Sequence, residues 1–152
     1  MSIRFEGLAD HIDEAVKLFV SAYAEPPWNE EWSSDLAHAR LTELIVHPGC
    51  LSVAAFDENH LTGFAIGTPH TGVAGTSLYI GEIVVEPTLQ RQGIGRAILG
   101  RLELGAAMNG FISMWLVTER VGTTKGFYAK SSFKESPRLM VLTKSATQER
   151  LT

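Results

Sequence analysis

The chain has little cysteine, little excess of either charge and no long apolar run, and each shortage excludes something. A single cysteine, Cys50, rules out an internal disulfide framework and suits a reducing compartment. It lies in the apolar run Cys50-Leu-Ser-Val-Ala-Ala-Phe56, where a buried structural thiol is expected rather than a nucleophile. No apolar stretch approaches the ~20 residues that cross a bilayer, so no membrane partner is expected. The opening Met1-Ser-Ile-Arg-Phe5 lacks the charged-then-apolar layout of a secretory signal, which makes the cytoplasm the expected location. Thirteen basic against seventeen acidic residues give a net charge of −4, with no Lys/Arg stripe. Nucleic acid is therefore not an expected partner, whereas a cationic small substrate is compatible with the balance. The histidines (His11, His38, His47, His60, His70) are scattered without ligand spacing, and no metal site is expected.

With 45% hydrophobic and 20% charged residues over 152 positions, the chain reads as one globular domain with a core over about 3–143 and a polar tail from 144 to 152. Residues 2–7 read as a strand, and Asp10, with Asp13 three residues on, as the cap of a helix. That helix buries Ile12, Ala15, Val16, Phe19, Ala22 and Tyr23 at helical spacing and stops at Pro26-Pro27. Ser33 or Ser34 caps a second helix running to about His47, with Ala37, Leu41, Leu44 and Ile45 inward. Strands near 50–56 and 61–68 flank a turn at Asp57–His60, a flexible loop covers 69–75, and a longer strand covers 77–86. A helix then sets Ile94, Ile98, Leu99, Leu102 and Ala106 on one face and ends near Asn109-Gly110. A buried strand over 111–117, a short helix over 123–130 and a final strand pair at 132–135 and 138–143, broken by Pro137, complete a mixed α+β order around one sheet.

The most informative stretch runs from Ile83 to Gly100. A β-branched run ends at Pro87, and Gln90-Arg-Gln-Gly93-Ile-Gly95 opens into the amphipathic helix. A strand that feeds a helix N-terminus through a glycine loop leaves backbone N–H groups free, and these and the helix dipole favour a phosphate. A dinucleotide fingerprint needs a third small residue where Ile98 stands, and the loop follows the fourth strand instead of the first. A Walker loop needs Gly-Lys-Ser or Gly-Lys-Thr, and neither occurs.

Gln90-Arg-Gln-Gly93-Ile-Gly95 resembles the Q/R-x-x-G-x-G/A motif of the GCN5-related N-acetyltransferases, the GNAT superfamily. Val84-Val-Glu-Pro87 before it and Arg96-Ala-Ile-Leu99 after it fit the same pattern. Gly126-Phe-Tyr128-Ala-Lys-Ser-Ser-Phe133 is similar to the family's late F-Y-x-x-x-G-F segment. The resemblance implies a single mixed sheet of about seven strands with helices on both faces. It further implies acetyl-CoA binding, with the backbone of Gln90, Arg91, Gln92, Gly93, Ile94, Gly95 and Arg96 on the pyrophosphate. The backbone of Ile83, Val84 and Val85 would take the pantetheine arm where the fourth and fifth strands splay apart. Arg91 and Arg96 are candidates for charge-assisted contacts, or are simply solvated.

Acetyl transfer to an amine needs the amine neutral, the carbonyl polarised and the leaving thiolate protonated. The resemblance implies direct transfer, with Tyr128 as general acid; a phenol is protonated at neutral pH. Glu82 is the candidate base, although many members place their glutamate about three residues earlier, at Tyr79 here. Strand alternation sets Glu82 and Tyr79 on opposite faces unless a bulge shifts the register. Two further departures are Val121, where the family often has Asn (with Thr123 or Thr124 as substitutes), and Ser132, where it usually has Gly. Trp28-Asn29-Glu30-Glu31-Trp32 lies in the segment that lines the acceptor site in this family, and could hold a cationic amine or anchor the loop. The expected function is an acetyl-CoA-dependent N-acetyltransferase acting on a small-molecule or peptide amine. The alternatives are a non-catalytic acyl-CoA-binding module, or transfer of another acyl group or to oxygen. Dimers are common in such folds, so a homodimer stays open, with no sequence feature requiring one.

Overall fold

A computed structural model describes residues 1–120 and 122–146 of the chain. Strand β1 (Ile3–Glu6) is followed by α1 (Ile12–Ala24), α2 (Ser34–Ile45), β2 (Leu51–Asp57), β3 (His60–Gly72), β4 (Gly75–Val85), α3 (Ile94–Met108), β5 (Ser113–Trp115) and α4 (Thr124–Lys130). The sheet order is β1-β2-β3-β4-β5, antiparallel except for the parallel β4–β5 pair.

Both faces of the sheet are covered, which is why its central strands read as near-continuous apolar runs. Ala54, Phe56, Phe64, Ile66 and Val84 pack against α1 and α2 through Ala15, Val16, Phe19, Ala37 and Leu41. Val53, Ala55, Ala65, Leu78 and Ile80 pack against α3 through Ile94, Ile98, Leu99, Leu102 and Ala106. Phe19 is fully buried, so Phe19→Ala belongs to the class of core truncations that cost about 3–5 kcal/mol. Buried Thr62 is the extra residue of a β-bulge in β3, and its hydroxyl donates to the Ala55 carbonyl at 3.0 Å, so its burial leaves no orphan.

Several expectations are corrected. Ser33 does cap α2, its Oγ accepting from the Leu36 N–H at 3.1 Å. Asp10, however, caps nothing: it lies in a 3-10 turn (Ala9–His11) that leads into α1 with no side-chain cap. The 69–75 segment is not a loop, because β3 runs to Gly72 and pairs with β4 from Gly75, leaving only Val73 and Ala74 as the hairpin tip. The strand over 111–117 shrinks to Ser113–Trp115. The pair at 132–135 and 138–143 is not formed, so the sheet has five strands among the described residues, not about seven.

Candidate functional site

The glycine loop takes the form its residues require. After Val85 the chain makes a 3-10 turn (Pro87–Leu89), and Gln90 Nε2 donates back to the Val85 carbonyl at 3.3 Å. Arg91 and Gly93 both adopt left-handed backbone, with φ of 66° and 85°. Gly93 is the N-cap of α3 and supplies no side chain to the helix end, so the first-turn N–H groups of Ile94, Gly95 and Arg96 have no intrahelical acceptor. A Cβ on Gly93 would meet nothing within 4 Å, so the space in front of this end is open. Ile94 and Gly95 turn inward, whereas Arg91, Gln92, Gly93 and Arg96 are exposed. Arg96 and Lys130 also flank a shallow groove along α3, which Glu103 shares.

The two distant motifs meet here. A Cβ on Gly95 would lie 3.0 Å from Phe127 Cζ, so α4 seats directly on the first turn of α3. Phe127 and Tyr128 pack edge to face at 5.1 Å, and Tyr128 meets Phe133 at 5.7 Å. Ser132 adopts φ of 68°, a conformation natural to glycine, which explains why the family usually has Gly there. Thr124 accepts a hydrogen bond from Thr118 at 3.1 Å. Val121 lies outside the described residues.

Between the loop and α4 the sheet opens. β4 pairs with β5 only over Ser77, Leu78 and Tyr79; beyond them the β5-side edge of β4, including Ile83, Val84 and Val85, has no strand partner. This edge offers backbone groups to an extended ligand, as an unpaired strand does.

Register decides what faces this opening. Ile66 pairs with Glu82 and Gly67 with Ile80, so Gly81 is one residue too many in β4. Before it, Leu78 and Ile80 face α3; after it, Ile83 and Val85 do. The bulge therefore turns Tyr79 and Glu82 to the same face, toward α1 and α2, whereas strict alternation would separate them.

Glu82 is nearly buried, with 10% of its side chain exposed, and is held from two helices. Tyr23 OH on α1 donates to Oε2 at 2.7 Å, and Arg40 Nε on α2 donates to Oε1 at 3.1 Å. Arg40 also donates from Nη2 to the Gly81 carbonyl at 3.0 Å, which fixes the guanidinium on the bulge itself. Burial pushes the Glu82 carboxyl above the usual carboxylate range, and outweighs the opposite pull of Tyr23 and Arg40. Burial and then the Glu82 charge push the Tyr128 phenol up to about 12. The same causes raise the Tyr23 phenol, with smaller contributions from Tyr128 and Glu30, so all four groups share one region. Burial raises the Cys50 thiol, consistent with a structural residue.

The Trp28–Trp32 segment divides. Trp32 stands edge-on to Phe19 at 4.8 Å and donates from Nε1 to Glu30 Oε1 at 2.9 Å, so it anchors the loop. Trp28 leans on Tyr23 at 5.6 Å, near the Glu82 end. Asn29, with φ of 49°, and Glu31 are exposed.

Sequence reading misses Arg40 and treats Tyr23 as core alone. A signal existed for both: Arg40 falls three residues after Ala37 and four before Leu44, on the inward stripe of α2, and a buried tyrosine needs a partner for its hydroxyl.

Known structures share this architecture. A possible acetyltransferase from Clostridium difficile 630 is 15% identical, with 97% of this chain and 100% of that one covered at a TM-score of 0.81. AAC(6')-Iy, in complex with the bisubstrate analogue CoA-S-monomethyl-acetylneamine, is 15% identical over 96% of this chain and 100% of its own, TM-score 0.76. Glucosamine-6-phosphate N-acetyltransferase from Arabidopsis thaliana is 13% identical over 95% and 100%, TM-score 0.70. No curated protein matches the chain. At these identities the likeness is one of fold. The sequence itself matches the Acetyltransferase (GNAT) family over residues 13–133, a span that takes in the open helix end, the splayed strand, Glu82 and the α4 segment, and the chain therefore belongs to that family.

Proposed function

We propose that the protein is an acetyl-CoA-dependent N-acetyltransferase that transfers acetyl directly to an amine. The observation that carries this reading is the position of Glu82: a buried carboxylate clamped by Tyr23 and Arg40 beside Tyr128, at the unpaired edge of β4 that leads to the open end of α3. The backbone of Gln90–Arg96 holds the pyrophosphate and that of Ile83–Val85 the pantetheine arm, with acetyl-CoA entering as substrate. Glu82 accepts a proton from the amine nitrogen. The nitrogen then forms its bond to the thioester carbonyl carbon as the carbon–sulfur bond breaks. Tyr128, still protonated far above neutral pH, donates to the departing sulfur, and the proton on Glu82 returns through solvent. Arg40 keeps the carboxylate aimed and is a positioning residue. Trp28, Glu30 and Glu31 supply aromatic and acidic surface to a cationic acceptor. The aminoglycoside analogue and the amino sugar named for two structural neighbours are acceptors of this chemical kind.

The test is thiol release with acetyl-CoA and a panel of amines, across pH, for the wild type, Glu82→Gln and Tyr128→Phe. Because Glu82 titrates above the ordinary range, kcat/KM falls as pH drops through that raised value, and Glu82→Gln removes this limb along with most of the rate. Tyr128→Phe lowers kcat by about 10²–10⁴-fold, the usual worth of a positioned acid, with acetyl-CoA binding retained. Tight acetyl-CoA binding without turnover on any amine would make the protein an acyl-CoA-binding module instead.

A further inference from the structure

Among the described residues, the exposed large hydrophobics are not spread evenly. Eight of the thirteen (Met108, Ile112, Trp115, Val117 and Leu139–Leu142) fall either around β5 or in one run near the end of the chain. β5 is the edge strand of the sheet. Around it Ile112, Trp115 and Val117 are 59%, 40% and 55% exposed, so its outer edge lies open with apolar side chains beside it. Leu139, Met140, Val141 and Leu142 are 65–83% exposed. Four consecutive apolar residues are the pattern of a strand covered on both faces, and that pattern has no use in water.

The start of this run is fixed to the domain. The Phe133 N–H donates to the Tyr128 carbonyl at 3.1 Å, and Glu135 pairs with Arg120 at 2.6 Å and Lys125 at 3.4 Å. After a bend at Pro137 and Arg138 the chain departs, and no strand pairing involves residues 136–146 among the described residues. One chain thus carries an unpaired apolar strand and an unpaired sheet edge, and does not join them to each other.

We propose that the two are joined between copies: the Leu139–Leu142 strand of one chain adds to the β5 edge of a second, and the second returns its own strand, in a twofold-symmetric dimer. Strand addition supplies main-chain partners to both edges, and reciprocity closes the assembly at two copies without leaving a further sticky edge. Alternate residues of the added strand face opposite sides. One pair extends the apolar surface of Met114, Leu116 and Phe133, and the other covers Trp115 and its neighbour Tyr79, whose rings lie 4.5 Å apart. The occupant is a second copy because the chain itself offers the complement, both in its apolar pattern and in its free backbone edge.

The experiment uses the full chain. Light scattering after gel filtration gives twice the 16.6-kDa chain mass. Val141→Pro, which removes a ladder donor at a position exposed in the single chain, returns the mass to one copy. In a Cys50→Ala background, Ser113→Cys protein is mixed with Met140→Cys protein, and in parallel with Val141→Cys protein, under mild oxidation. Cross-strand neighbours lie close enough for a disulfide, so a mixed covalent dimer forms with at least one of the two. A monomer at micromolar concentration overturns the proposal. So does a dimer that persists in Val141→Pro and gives no mixed disulfide. A disulfide closing within one chain of the double-cysteine protein also overturns it, because the strand would then serve its own edge.

Discussion

Gly81→Ala tests whether the β4 bulge and helix α2 position the base together. A Cβ at this residue would sit 2.8 Å from Leu44 Cδ2 and 3.1 Å from Cδ1, closer than carbon atoms pack. Leu44 is 7% exposed and cannot swing into solvent, so either it leaves its rotamer or α2 moves away from the sheet. Overpacking of this size costs about 1–3 kcal/mol. Leu44→Ala alone, which empties a core position, costs about 2–5 kcal/mol. In the double variant the new methyl enters the space that Leu44 vacated. The cost of Gly81→Ala in that background should thus fall to about zero, a coupling of about 1–3 kcal/mol. Urea denaturation of the four proteins at matched m-values measures it. Activity should follow, because Arg40 lies one turn before Leu44 on α2 and donates to the Gly81 carbonyl. A shift of α2 pulls the guanidinium off Glu82, lowering kcat/KM for the amine in Gly81→Ala and restoring part of it in the double variant. Additive costs, or full activity in a destabilised Gly81→Ala, would refute the reasoning.

Two shorter predictions follow. Glu30→Gln with Glu31→Gln should raise the KM for a cationic amine several-fold and leave acetyl-CoA affinity intact; unchanged amine kinetics would remove the loop from the acceptor site. Ser132→Gly should stabilise the protein by about 1 kcal/mol, because it relieves left-handed backbone at a non-glycine residue, and a lower melting temperature would contradict that reading.

Most of the fold was legible because α1, α2 and α3 carry apolar stripes of helical period and the central strands carry apolar runs between turn residues. The glycine loop was legible because few residues tolerate its backbone. The base was only half legible. Glu82 could be named, but its facing depends on whether Gly81 is paired or bulged, and nothing local to Gly81 decides this; the contact with Leu44 of α2 does. Arg40 was hidden for a related reason, since a cation on an inward stripe reads as a solvated edge until the carboxylate opposite it is placed. The strands expected at 132–135 and 138–143 fit their apolar pattern but find no partner among the described residues, because a pattern reports the wish for cover and not where the cover comes from.

The extra residue in β4 works as a phase shifter. Upstream of Gly81 the even-numbered side chains face α3, and downstream the odd-numbered ones do. Removing Gly81 would leave composition and length almost unchanged, yet it would rotate everything from Glu82 to Val85 by half a strand period. Glu82 would then turn into the apolar layer under α3, and Ile83 would stand where Tyr23 and Arg40 now offer their donors. A chain of this family can therefore lose its carboxylate from the cleft while still encoding it, and the spacing between Tyr79 and Glu82, read as a number of residues, tells whether a related sequence keeps that phase.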